Sequence, residues 1–329
     1  MKRPWYEFQV VESHEQLVSS RGSVYHSLSL DNVITTVLEG PERHYGIVAL
    51  PCVIKSVRLA QKRFPALRRR IRYVFGLTCG GLRSRLFPEL LTSLMGQEEG
   101  VLRYRSKPGS RTALDFRAEI SSLEKRKRIR FLGMFGFFWI NEIGMLHPCL
   151  FCDDIFAELA DATFMDAWLP EFKRDCRGTN LVISRKEAVS QVISQLFDER
   201  VADGGFIDAR RVEESQEKVL ARRRDRLEFR VKYAKKTRDY VPVKRQFVTR
   251  PLQQKALESE TAREMLFFYR SRQKLLKWRG SVSRYPRPLR RFTVYWLSWK
   301  ILFLAARHGA LHRTFREAKH VFARFFRFR

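Results

Sequence analysis

Cysteines are the residues of this chain best suited to chemistry. Cys149 and Cys152 frame a Cys-x-x-Cys element inside His147-Pro-Cys-Leu-Phe-Cys-Asp-Asp154. Two thiolates three residues apart in a turn can ligate one metal centre, but that spacing does not choose zinc over iron–sulfur. Cys52 follows Pro51, and Cys79 precedes Gly80-Gly81, so two further thiols stand at loop positions; Cys176 is the outlier. Four thiolates suit an iron–sulfur cluster, a structural zinc ion suits the same set, and unrelated buried or surface thiols are the third reading. Five cysteines make an odd number for a disulfide framework. The start, MKRPWYEFQVVESHEQL, has no apolar run of the kind an export signal needs, so a reducing, cytoplasmic setting is expected.

The elements that must position these thiols read as a repeated strand–loop–helix. Tyr45 to Leu50 is a short apolar run ending at Pro51-Cys52, and Val53 to Arg70 has helical spacing. Ile71 to Leu77 is rich in β-formers and ends at Thr78-Cys79, and Leu82 to Met95 is again helical. A cysteine thus stands at the carboxyl end of each strand, where open α/β sheets build their ligand sites. Residues 101–120 read as two strands around Lys107-Pro108-Gly109-Ser110, followed by a charged stretch (Glu124 to Arg130) and an apolar segment (Phe131 to Ile140). Ala162 to Met165 and Asn180 to Ser184 read as strands, Arg185 to Arg200 as a helix, and Val212 to Lys236 as one long charged helix. The expectation is an α/β fold: an open mixed sheet with flanking helices and a cysteine-lined site over residues 1–208, then a basic, mostly helical extension over 209–329.

Charge divides the chain in the same way. The formal net charge is +29, with 30 Lys+Arg against 23 Asp+Glu in residues 1–200 and 34 against 12 in residues 201–329. Residues 261–329 hold 18 basic and 2 acidic side chains interleaved with aromatics. Leu311, Phe315, Phe322 and Phe326 fall near one face of a helix among arginines, which suits an anionic membrane surface at the inner face, or a docking partner. Nucleic acid is the weaker reading, because no recognised binding module appears. The longest apolar stretch, Phe292 to Ala306, contains Ser298 and Lys300 and falls short of a spanning helix.

Several segments, in order, resemble the coenzyme F-420 hydrogenase/dehydrogenase beta-subunit family. They are Ala49-Leu-Pro-Cys52, Gly76-Leu-Thr-Cys-Gly-Gly81, Cys149-Leu-Phe-Cys-Asp-Asp154, Glu158 to Trp168, and Gly178 to Arg185; Arg105 and Lys107, with Gly109, echo a further turn. The resemblance covers about residues 10–205. It implies a [4Fe–4S] cluster on Cys52, Cys79, Cys149 and Cys152, and it admits FAD, with a redox protein or small redox substrate as partner. It also implies an oxidoreductase or electron-transfer role; the alternative is a non-catalytic accessory with a structural metal site. Ala49, Val53 and Met165 depart from the usual residues, and Gly22-Ser-Val-Tyr25 lacks the family's lysine. The ferredoxin-like segment and the Ser-Gly-Gly loop of longer members are missing from the sequence, which bears on FAD and F-420 chemistry.

Other groups are weighed beside the thiols. Gly80 and Gly81 suit a tight turn beside Cys79 and, less well, a phosphate cradle. Asp153, Asp154, Asp161 and Asp166 are candidates for hydrogen bonding around the site, against a plainer reading as helix caps and surface carboxylates. His147 is a candidate replacement ligand or an ordinary structural histidine. Lys55 and Arg58 could approach a flavin phosphate or simply face solvent.

Overall fold

Apolar residues recur along Tyr45–Ala49 (β1) and Ile71–Leu77 (β2) so as to bury Ile47, Ala49, Ile71 and Val74. In the computed structural model, which describes residues 6–95, 100–107, 109, 111–122, 126–130, 135–243 and 254–278, these two strands pair in parallel. Ala162–Asp166 (β6) lies parallel to β2, and Asn180–Ser184 (β7) pairs antiparallel with β6. The sheet order is therefore β1-β2-β6-β7, an open mixed sheet as expected. Short helices His14–Ser19 (α1) and Asp31–Glu39 (α2) precede it.

The helical pattern between β1 and β2 is two helices, not one: Pro51–Arg63 (α3) and Pro65–Arg70 (α4). Proline drives the preceding residue out of the helical region, and Phe64 is extended at φ −116°, ψ 98°. Val37, Ile54, Val57 and Leu67 from α2, α3 and α4 pack with the buried strand residues into one core. Arg70 closes the carboxyl end of α2, with its Nη1 donating to the carbonyls of Val37, Leu38 and Gly40 at 2.6 to 3.0 Å.

Gly76 sits between β1 and β6, opposite Ala49 and Thr163. A Cβ there would lie 2.5 Å from the Ala157 Cβ, so only glycine lets the loop before β6 close on the sheet. That contact holds the chain at Ala157, shortly after Cys152, against β2, whose end leads into Cys79.

A second sheet, antiparallel, orders Val101–Ser106 (β3), Arg117–Ser121 (β4) and Arg126–Arg130 (β5). The charged stretch before the apolar segment thus supplies a third strand, paired to β4 from Arg117↔Arg130 to Ser121↔Arg126. Leu86–Met95 (α5) starts later than its pattern suggests, because Arg83 is drawn into isolated bridges with His26 and Met145 and Arg85 lies in a turn. Gly136–Ile140 (α6) precedes a 3-10 turn, His147–Phe151, and Glu187–Asp198 (α7) follows β7.

The long charged pattern after Ala209 divides too. Ala209–Leu220 (α8) passes into a π-helical turn, Ala221–Asp225, and Leu227–Lys236 (α9) follows. Leu227, Val231 and Ala234 of α9 pack on Met145, Leu150 and Phe151, with Met265 and Phe268 completing that cluster. The final described helix is Gln254–Trp278 (α10). The chain divides into two compact units, Met1–Tyr269 and Arg270–Arg329. Pro108 and Ser110 of the expected turn, the segment Phe131 to Met134, the apolar stretch from Phe292 and the amphipathic pattern of Leu311 to Phe326 lie outside the described residues. No helix among the described residues is long and apolar enough to cross a membrane.

Candidate functional site

Cys52 occupies the second position of α3, just past the carboxyl end of β1, and is exposed. Cys79 stands two residues beyond β2. Its N–H donates to the Ile155 carbonyl at 3.1 Å, and the Thr78 N–H donates to Phe164 at 3.1 Å, so the loop is tied to both β6 and the segment before it. Cys149 lies in the 3-10 turn, and the Cys152 N–H donates back to its carbonyl at 3.4 Å.

Backbone amides point at two of the sulfurs. The Gly81 N–H lies 3.4 Å from Cys79 Sγ, and the Leu82 N–H lies 3.4 Å from Cys149 Sγ. Gly81 reaches this geometry at φ +123°, a conformation L side chains rarely adopt. The Cys152 thiol donates to the Asp154 carbonyl at 3.9 Å.

The four thiols share one electrostatic neighbourhood. Burial pushes Cys79 up to about 12, and Cys149, Cys152 and Cys52 push it the same way, against the Gly81 amide. Cys52 is raised by burial and then by Cys152. Burial also raises Cys149, while the Leu82 amide, Arg223 and Arg83 favour its thiolate. Cys176 stands elsewhere, exposed, its carbonyl accepting from Lys107 Nζ at 3.4 Å. Among the described residues, no group of three or more His, Cys, Asp or Glu side chains is arranged to hold a metal ion.

Behind the cysteine loop lies a group of buried arginines that the linear pattern did not single out. Arg223, 2% exposed, comes from the π-helical turn; its Nη1 donates to the Cys149 carbonyl at 3.2 Å and its Nη2 to Glu142 Oε1 at 2.5 Å. Arg230, 1% exposed, donates to the Leu150 carbonyl at 3.2 Å. Arg83, buried as well, donates to the Trp139 carbonyl at 2.8 Å and lies 4.3 Å from that indole's centroid. Burial lowers Arg83 and Arg230 to about 10. Burial opposes ionisation of Glu142, but Arg223, Arg230, Arg222 and Arg83 together outweigh it and hold the carboxyl at about 2. One carboxylate thus faces three buried guanidiniums, leaving a local excess of positive charge beside Cys149. Arg83 Nε and Nη1, Arg223 Nε and Thr78 Oγ1 are buried without a hydrogen-bond partner. A π-helical turn is a recurrent mark of functional segments, and only the run Arg222-Arg223-Arg224 in a charged pattern hinted at this one.

The remaining candidates take structural places. Gly80 is exposed in the loop, facing Val219 of α8. Asp153 gives its carbonyl to Arg224 Nε at 3.2 Å, and Asp154 caps the Glu158 N–H at 3.1 Å. Asp166, at the end of β6, pairs with Arg105 at 2.7 Å, and that guanidinium lies over Phe116 and Trp168. Asp161 accepts the Val74 N–H at 2.7 Å and pairs with Arg58 at 2.9 Å, which binds α3 to the sheet. His147 Nε2 is taken up by Asp239 Oδ2 at 2.7 Å.

A family model for the C terminus of the coenzyme F420 hydrogenase/dehydrogenase beta subunit matches residues 42–208. Comparison with curated proteins gives no sequence match. Among solved structures, a chain of a xenon derivative of the F420-reducing [NiFe] hydrogenase complex from Methanosarcina barkeri is similar. Its TM-score is 0.48 at 14% identity, over 71% of this chain and 78% of that one. The family match runs from the approach to β1 to the end of the segment after α7 and takes in Cys52, Cys79, Cys149 and Cys152. It spans half of the sequence, and on that ground the chain belongs to the coenzyme F420 hydrogenase/dehydrogenase beta-subunit family.

Proposed function

We propose that this protein is an iron–sulfur oxidoreductase or electron-transfer protein, with Cys52, Cys79, Cys149 and Cys152 as ligands of one [4Fe–4S] cluster. The reading is supported by the mutual electrostatic influence of Cys52 at the start of α3, Cys79 after β2, and Cys149 and Cys152 in and just after the 3-10 turn. Amide donors point at two sulfurs, and unpartnered buried guanidinium N–H groups lie behind. Thiolate clusters are anionic, and their potential is set by hydrogen bonds to sulfur, local charge and exposure. Positive charge from Arg83, Arg223 and Arg230 suits such a group far better than it suits four neutral thiols.

A single structural zinc ion is the alternative for this donor set. Four thiolates would also suit one tetrahedral zinc ion, and metal and sulfide analysis separates the two. The cluster supplies one-electron exchange when bound. The chain's own residues then have definite tasks: Gly81 and Leu82 donate to sulfur, Arg223 holds the Cys149 carbonyl, and Gly80 leaves Cys79 its turn. Asp153 and Asp166 shape the rim through Arg224 and Arg105. FAD as a second cofactor, a redox protein or small redox substrate as partner, and a membrane contact by the basic residues 261–329 complete the proposal.

Anaerobic purification with iron, acid-labile sulfide and flavin assays tests it, read with a visible spectrum before and after dithionite. About four iron and four sulfide per chain, with bleaching on reduction, is the expected result. A folded, colourless protein carrying zinc or no metal overturns it in favour of an accessory role.

A further inference from the structure

The amino-terminal end of the four-stranded sheet carries a feature that the cysteine site does not use. Between Lys62 and Arg72 the sequence places six cations and no acid. The proline break sets this run on the corner where α3 ends and α4 begins. Arg70 is consumed in closing α2, and Arg69 meets Glu42 only at 3.9 Å with both side chains well exposed. Lys62, Arg63, Arg68 and Arg72 are exposed and make no side-chain hydrogen bond or ion pair among the described residues.

Large apolar side chains stand out among these cations. Phe64 is 51% exposed at the apex of the corner, and Leu59 is 55% exposed one helical turn earlier, on the face shared by Lys62 and Arg63. Phe64 is the cap residue common to both helices, so its half-exposed ring stands at the turn between them. A solvated charged face explains the cations but not an aromatic ring at their centre.

The geometry points to a docking surface for an anionic lipid bilayer, formed by Lys62, Arg63, Arg68 and Arg72 around the apolar pair Phe64 and Leu59. Clustered cations attract the negative surface, and each adds to binding near it. A protruding ring and an aliphatic side chain enter the interface, where apolar burial adds a part that salt does not screen. Nucleic acid and acidic protein share the charge complementarity. One aromatic ring beside one aliphatic side chain, however, offers neither the run of stacking aromatics of single-strand binders nor the larger packed patch of a protein interface. Phe64 lies 12 residues along the chain from Cys52, at the other end of α3 and about 18 Å away by helical rise. Docking through the corner turns the cysteine loops away from the lipid, and this surface does not depend on what the cysteines bind.

The test is co-sedimentation of the full-length chain with vesicles of phosphatidylcholine alone or with phosphatidylserine. The wild-type protein is expected to partition onto the phosphatidylserine vesicles. Arg63→Gln with Arg68→Gln lowers that partition about 30-fold, the loss of two surface cations. Phe64→Ser lowers it further, and its effect persists at high salt where the arginine effect fades. All three side chains are exposed, so thermal midpoints stay unchanged. The proposal is overturned if both variants bind the vesicles as the wild type does, or if the wild type does not bind them. It is also overturned if the arginine variant loses an RNA oligonucleotide or a polyglutamate peptide while keeping the vesicles.

Discussion

Replacing Glu142 by glutamine keeps the side chain's shape and removes the charge that Arg83, Arg223 and Arg230 share. The carboxyl sits at about 2 against an ordinary 4.5. At 1.36 kcal/mol for each tenfold change in proton affinity, the arginines stabilise the ionised, folded form by about 3 kcal/mol. Breaking a buried pair by removing one partner costs about 3–5 kcal/mol by mutation, so two independent arguments agree. The sign is that of a depressed carboxyl: the contribution is complete above about pH 5 and is lost as pH falls towards 2. Urea unfolding of the metal-free protein at pH 7 is therefore expected to show Glu142→Gln less stable by about 3 kcal/mol. Between pH 5 and 2 the wild type loses that advantage, and the two curves converge. In protein loaded with iron and sulfide, an anionic cluster beside the same guanidiniums takes over part of the compensation, and the substitution costs less. A penalty under about 1 kcal/mol in the metal-free protein, or an equal acid sensitivity in both proteins, refutes the reasoning.

Cys79→Ser is expected to abolish retention of iron and sulfide after anaerobic reconstitution, while Cys176→Ser retains both in full; equal losses would remove Cys79 from the ligand set. Gly76→Ala drives a methyl group to 2.5 Å from the Ala157 Cβ and should cost about 1–3 kcal/mol as overpacking, read from the urea midpoint. Asp161→Ala leaves the Val74 N–H and Arg58 without their acceptor, for a loss of about 1–3 kcal/mol in the same assay. A stability loss that Arg58→Ala reproduced in full would assign the effect to the ion pair and not to the sheet amide.

The strands and the cysteine loops were legible because their signals are local. The apolar run Tyr45 to Leu50, the β-formers of Ile71–Leu77, the Pro51-Cys52 and Cys79-Gly80 punctuation, and Cys-x-x-Cys each depend on residues a few places apart. Where a proline lay inside a helical pattern, periodicity alone ran through it, and the break at Phe64 came from the steric conflict at Pro65. The strand Arg126–Arg130 was hidden by its composition: RKRIR reads as solvated charge until β4 gives it a partner and Glu119 gives Arg128 a counter-charge.

What no local signal could reveal is where the charge after Ala209 goes. Most arginines in a charged helix face water, and the linear pattern gives Arg222, Arg223 and Arg224 equal standing. Folding separates them. The π-helical turn sends Arg223 into the interior beside Glu142 and the Cys149 carbonyl, while Arg224 stays at the rim on Asp153 and Glu158. Burying a guanidinium costs several kcal/mol unless charge and hydrogen bonds compensate it, and Glu142 is shared by three such groups, with Glu264 adding to its effect on Arg230 alone. The thiols supply the rest only as thiolates, yet burial and mutual repulsion hold Cys79 at about 12 and raise Cys52 and Cys149 in the metal-free protein. Ligation of the proposed cluster would resolve both tensions in one step. On the proposed reading, loss of thiol protons to a metal centre would create the anionic group that the buried cations lack, and stability and cluster assembly would then be coupled through Glu142 and Arg223.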